Sequence, residues 1–188
     1  MKKFLSVALI FLALFSLCSC NRIMSITETS KLSDYDDIFY LLENSYRHVV
    51  GEELLFPERI EDLDVIGFTS RELTYLPLGD GREIQLYVKY NNVDFEKETN
   101  RIAELTKGSP VHGKSEYFSL PTYASLWNVD GCFEYAVINT NERTVRYVYL
   151  HQLDARDFSI PSDYIPKGYV SPSENKDAPF MIAEYSLP

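Results

Sequence analysis

The sequence predicts an α+β fold, a mainly antiparallel sheet with two helices on one face. Three observations predict it. A three-stranded meander pattern fills about residues 122–150, with strong turn residues between its strands. Two stretches of helical periodicity, about 34–50 and 93–107, stand apart from it. The order of helix, two strands, helix, three strands and tail lacks the regular strand–helix alternation of a parallel doubly wound sheet.

Each element has its own justification. Ser33 reads as an N-cap, with Asp34, Asp36 and Asp37 in a first turn where acids complement the helix dipole. Ile38, Leu41, Leu42, Tyr46 and Val49 then recur at helical spacing, and Gly51 suits the stop. Residues 52–66 are acidic and irregular, with Pro57 as a breaker. Residues 73–78 and 83–90 read as strands, joined by a hairpin signal at Gly79-Asp80-Gly81. In the second of them Ile84, Leu86, Val88 and Tyr90 alternate with Gln85, Tyr87 and Lys89. Asn92 or Asp94 then caps a helix with Phe95, Ile102 and Leu105 as its apolar stripe, ended by Gly108 and Pro110. The meander strands are 122–129, 132–138 and 144–150. Asp130-Gly131 makes a two-residue turn and residues 139–143 close the second hairpin. Beyond Asp154 the chain is rich in Pro and Ser and winds over the surface, with residues 180–185 offering a last edge strand.

The meander can be paired residue by residue. The tight turn sets Val129 opposite Cys132 and Trp127 opposite Glu134. Pairing Ile138 with Thr144 sets Tyr135 opposite Tyr147 and Phe133 opposite Tyr149. A one-residue slip would put Val137 opposite Arg146 and invert one strand, so it is rejected. One face then carries Ala124, Leu126, Phe133, Tyr135, Val137, Val145, Tyr147 and Tyr149, with Asn128 as its polar exception, and is the expected core. The other carries Tyr123, Ser125, Trp127, Cys132, Glu134, Arg146 and Val148. Trp127, Glu134 and Arg146 form a candidate ligand contact, because an aromatic can stack on a sugar or peptide while charges orient it. The plainer reading is a solvated face with a cross-strand ion pair and a Trp packed under the tail.

Residues 1–20 carry a different message. Lys2 and Lys3 precede an apolar run from Phe4 to Leu17, interrupted by Ser6 and Ser16. That run is shorter than the roughly 20 residues of a spanning helix and fits a secretory signal. Leu17-Cys18-Ser19-Cys20 follows it and resembles the lipobox of bacterial lipoproteins. The resemblance implies cleavage before Cys20 and a diacylglycerol on its thiol. It covers the export segment alone and implies nothing about the fold or activity of the rest. Residues 1–19 are then signal peptide, 20–32 a polar tether, and 33–188 one domain with a Pro-rich tail. Two acyl chains anchor stably where one does not. The expected location is outside the cytoplasmic membrane or in the periplasm.

Composition narrows the partners. Cleavage takes Lys2 and Lys3 from the 18 basic residues and nothing from the 28 acidic ones, moving the net charge from −10 to −12. A polyanion repels nucleic acid and anionic headgroups, so nucleic acid is excluded and the lipid on Cys20 must supply membrane attachment. The expected partner is an envelope protein, a peptide or a glycan. Acylation of Cys20 and loss of Cys18 leave Cys132 as the last of three cysteines, so packing alone must hold the domain. Fourteen Tyr and 11 Phe suit half-buried strands.

Catalytic patterns were sought by spacing. Cys132 and His151 are a tempting pair, but the register above sets Cys132 opposite Leu150 and turns His151 away, which leaves a packing cysteine. His48 sits at a helix end, and His112 in a loop with no partner at fixed spacing. The acids at 34–37 lack the twelve-residue calcium loop, and the run Glu58, Glu61, Asp62 and Asp64 reads as a solvated loop. Ser173 to Lys176 matches Ser-x-x-Lys, but in a Pro-rich tail and without companion motifs. No catalytic residue, metal or cofactor is assigned. The expectation is a non-enzymatic binding or accessory protein, with an envelope hydrolase using paired carboxylates as the alternative.

Overall fold

A computed structural model describes residues 25–47, 54–75, 79–114, 118–129, 131–151, 158–161 and 164–165. These build seven strands and two α-helices: β1 (Ser25–Thr29), α1 (Tyr35–Arg47), β2 (Asp64–Tyr75), β3 (Gly79–Lys89), α2 (Asn92–Leu105), β4 (His112–Lys114), β5 (Thr122–Val129), β6 (Cys132–Asn139) and β7 (Thr144–His151). All pair antiparallel in one sheet, in the order β1-β2-β3-β7-β6-β5-β4. The fold is therefore α+β, as the element order predicts. Cys20, His48, Ser173 to Lys176 and residues 180–185 lie outside the described residues.

Both helices pack on one face of the sheet. The stripe of α1 is Tyr35, Ile38, Phe39 and Leu42, at the i, i+3, i+4, i+7 spacing of a core-facing helix. Leu41, expected in that stripe, is 51% exposed. Ser33 is not the N-cap: a short 3₁₀ turn over Leu32–Asp34 precedes α1, and Thr29 Oγ1 donates to Asp34 at 2.6 Å. That hydrogen bond first, and the Ser33 hydroxyl second, hold the Asp34 carboxyl below its ordinary value. The cap of α2 is Asn91, one residue before the expected Asn92; its Oδ1 accepts from the backbone N–H of Val93 and Asp94, both at 3.0 Å.

Three expectations on the N-terminal half change. Residues 25–29 belong to the expected tether but form β1, paired from Ser25 with Thr74 to Thr29 with Ser70. Strand β2 begins at Asp64, nine residues before the expected start, inside the stretch read as irregular. Gly79, Asp80 and Gly81 open β3 instead of making the turn.

The meander limits hold, and its register does not. In β6 and β7 Val137 faces Arg146 and Tyr135 faces Val148, the slip that the sequence reading rejects. In β5 two bulges, at Ser125 and Asn128, put Leu126 opposite Glu134 and Trp127 opposite Phe133. The rejected register assumed that one face meets water. Here both faces are covered. Strand β6 is buried at every position from Cys132 to Ile138. The second face holds its own core of Leu73, Phe118, Tyr135, Val148, Leu150 and Ile160.

Candidate functional site

The three residues predicted to share a contact surface are split between the two faces. Glu134 sits on the helix face and is 0% exposed. Its Oε1 accepts from the backbone N–H of Leu55 at 2.9 Å, and its Oε2 from the Ser125 hydroxyl. The Ser125 bulge delivers that hydroxyl, and it also turns Trp127 to the opposite face. There Trp127 is half-buried, edge-on to Phe133 at 5.4 Å and to Tyr135 at 6.0 Å. Arg146 shares that face. Its guanidinium is sandwiched between the rings of Tyr87, 4.4 Å away, and Tyr164, 4.2 Å away, and donates to Gln85 at 3.2 Å. The cross-strand pair of Glu134 and Arg146 does not exist, since register places Tyr149 opposite Glu134 and Val137 opposite Arg146.

Glu134 instead fastens a plug. Leu54, Leu55 and Phe56 enter the helix-face core without belonging to a helix or strand. Buried backbone of that kind needs partners for its polar groups. Glu134 takes the Leu55 N–H, Arg101 donates to the carbonyls of Leu54 and Leu55, and the Tyr35 hydroxyl donates to the Pro57 carbonyl at 2.6 Å. Burial opposes the charge on Arg101, but the hydrogen bond and charge of Glu98 outweigh it and hold the guanidinium above its ordinary value. Glu98 also accepts from the Tyr147 hydroxyl at 2.6 Å, and Tyr147 meets the Tyr90 hydroxyl at 2.7 Å. Burial first, then the Glu98 charge, raises the Tyr90 phenol. Burial likewise leads the rise of Tyr147, with Tyr90 and Glu98 adding to it.

The second face has its own buried carboxylate. Glu83 is 0% exposed and accepts from the backbone N–H of Ser159 at 2.9 Å and its hydroxyl at 2.6 Å. Gln85 donates to it at 2.5 Å, and Arg71 lies 3.5 Å away. Glu83 does for residues 158–161 what Glu134 does for residues 54–57. Neither carboxylate was singled out from the sequence for this work. For Glu134 the available signal was a lone acid between Phe133 and Tyr135, since such a group must be satisfied if it is buried; Glu83, between Arg82 and Ile84 with Gln85 beyond, carries no such signal.

A cleft of about 270 Å³ opens at one end of the sheet, lined by Asp62, Asp64, Lys89, Tyr90, Asn91 and Asp94. Part of the acidic run read as a solvated loop therefore meets the start of α2. Asn91 is occupied there in capping, and also donates to Asp94 at 2.5 Å. Among the described residues no group of three or more His, Cys, Asp and Glu side chains is placed to hold a metal ion. His112 rests its Nδ1 on Thr106, 3.0 Å from the hydroxyl and 3.2 Å from the carbonyl, with its ring edge-on to Tyr123. Cys132 pairs in register with His151, not Leu150, so the register argument against that couple falls. The sulfur is buried, and lies 3.8 Å from the Tyr149 hydroxyl, the surroundings of a packing thiol.

Comparison of the chain with protein-family models, with curated proteins and with solved structures finds no match in any of the three.

Proposed function

We propose that this chain is an exported lipoprotein of the bacterial cell envelope, anchored through a diacylglycerol on Cys20, whose domain acts as a non-enzymatic binding or accessory protein. The observation that carries the reading is Leu17-Cys18-Ser19-Cys20 directly after the apolar run. Among the described residues no helix is long and apolar enough to cross a membrane. An acyl anchor would therefore supply what the domain's helices do not. The buried acids support the binding role, while the cleft lined by Asp62, Asp64 and Asp94 is the feature that keeps an envelope hydrolase as the alternative. A glycoside hydrolase sets two carboxyl groups roughly 5–9.5 Å apart across a substrate cleft. The buried acids here serve packing instead: Glu134 and Glu83 lie on opposite faces of the sheet, and Glu98 is engaged by Arg101 and Tyr147. The partner expected for such a domain is an envelope protein, a peptide or a glycan.

Cys20→Ala tests the anchor in the producing cell. Loss of the protein from the membrane fraction, once the leader is processed, is the expected result. Unchanged fractionation and unchanged mobility would overturn it.

A further inference from the structure

The lipid reading has a geometric consequence, because β1 starts so close to Cys20. Ser25 follows Cys20 by five residues, and five residues of fully extended chain reach at most about 18 Å. Ser25 pairs with Thr74, and Thr74 with Asp80. The same end of the sheet holds the start of β6 and the end of β7, where Cys132 faces His151. The other end holds Asp64 opposite Lys89, Lys89 opposite Thr144, and Thr144 opposite Asn139. Strand β3 runs between the two ends over 11 residues, a length of roughly 35 Å. The linker is thus about half as long as the sheet is from end to end along β3.

Resting on the lipid-anchor reading, we infer that the Asp80 end of the sheet is the face this domain presents to the bilayer, with the acidic cleft directed away from it. An end-over-end reversal would lift Ser25 about one strand length above the headgroups, beyond the reach of the linker. Charge acts in the same direction. The far end carries Asp62, Asp64 and Asp94 around its cleft and exposed Glu142 at the 139–143 turn, against Lys89 in the cleft and exposed Arg143, so it is net negative and anionic headgroups repel it. At the near end Arg82 is paired with Glu72 at 3.0 Å, and the linker itself contains Arg22. The helices and the 54–60 plug cover one broad face of the sheet, and residues 118–120, 158–161 and 164–165 cover the other. Among the described residues the large apolar side chains left exposed include Ile26, Leu32, Tyr40 and Leu41, which lie on β1, α1 and the turn between them and not on a bare face of the sheet. The occupant of the near end is therefore the lipid headgroup layer itself.

Energy transfer tests the orientation in the full lipidated chain. Asp80 and Glu142 are exposed and lie at opposite ends, so Asp80→Cys and Glu142→Cys, each in a Cys132→Ser background, accept a donor fluorophore. The proteins are reconstituted in phosphatidylethanolamine–phosphatidylglycerol vesicles bearing an acceptor on the headgroup. Flotation with the vesicles is scored first. A chain that does not float refutes the anchor, and this inference with it. For a chain that floats, several-fold greater transfer from position 80 than from position 142 is expected. Equal transfer, or greater transfer from 142, overturns the orientation while leaving the anchor standing. A Gly/Ser insertion of 20 residues after Asn21 should erase the difference. Its persistence would show that linker length does not set the pose.

Discussion

The two faces of the sheet are closed in different ways. The helix face is sealed by α1, α2 and the Leu54–Leu55–Phe56 plug, and its largest buried side chains include Tyr35, Phe56, Ile102 and Tyr147. The other face is closed by short irregular runs, chiefly 118–120, 158–161 and 164–165, over Tyr135, Val148 and Leu150. Regular elements bring their own hydrogen bonds, whereas irregular cover must borrow them from its neighbours. On the second face they come from strand side chains, Glu83 for Ser159 and Tyr135 for the Tyr164 carbonyl. On the helix face Glu134 of β6 takes the Leu55 N–H, while Arg101 and Tyr35 of the helices donate to the carbonyls of Leu54, Leu55 and Pro57. The two buried strand carboxylates therefore mark places where chain without secondary structure is fastened to the sheet.

The largest expected effect tests the helix face as a whole. Tyr35, Tyr90, Tyr147 and Tyr149 all lie in its core, and burial above all holds their phenols above the ordinary value of 10.0. A group whose folded pKa is raised contributes stability that is fully present below its unfolded pKa. That contribution is lost as pH rises from about 10 toward the folded value, because the unfolded chain ionises first. The phenolate absorbance of these four should therefore appear only together with loss of the far-ultraviolet dichroism. A single phase complete before the fold is lost would show that the helix face admits water.

The next effect tests the borrowed bonds. Glu83→Ala removes the acceptor for both Ser159 donors and one charge partner of Arg71, which keeps Glu28 at 3.0 Å. Hydrogen bonds to a charged, buried acceptor suggest a loss of about 2–3 kcal/mol, read from the urea midpoint. The loss should fall unevenly. Limited proteolysis should cut near residues 158–165 at native conditions, while the α1 and α2 side stays resistant. Global loss with no new cleavage site would mean that Glu83 supports the sheet and not its cover.

What was legible in the sequence follows the same division. Element type and order come from periodicity, so α2, residues 83–89 of β3 and the meander limits could be read directly. Register could not. Rejecting the slip relied on one face being wet, and Arg146 opposite Val137 then looked like a fault. With both faces buried, alternation no longer distinguishes inside from outside, as in the all-apolar strands of doubly covered sheets. The Ser125 and Asn128 bulges add a further inversion within β5 that no local spacing announces. Strand β1 was hidden for another reason. Ser25, Thr27 and Glu28 are polar and exposed because β1 lies at the sheet edge, and an edge strand with water on both sides has no apolar period to display. The proposed contact of Trp127, Glu134 and Arg146 failed with the register, since it required three side chains on one face.

Arg146 gives the smallest effect and the sharpest one for the second face. Its guanidinium stacks between Tyr87 on the sheet and Tyr164 in the cover, so it joins the two through π contact and through Gln85. Its Nε is buried without a hydrogen-bond partner, a desolvation cost that offsets part of the gain. Cation–π contacts contribute roughly 0.5–2 kcal/mol, and methionine keeps the apolar bulk between the rings. Arg146→Met should therefore lower stability by about 1 kcal/mol in urea with an unchanged slope. A loss above about 3 kcal/mol would place Arg146 beside Glu83 as a fastening of the cover. A gain would mean that the buried Nε costs more than both rings return. In either case the polar contacts of this face would need to be reassigned between holding its cover and straining it.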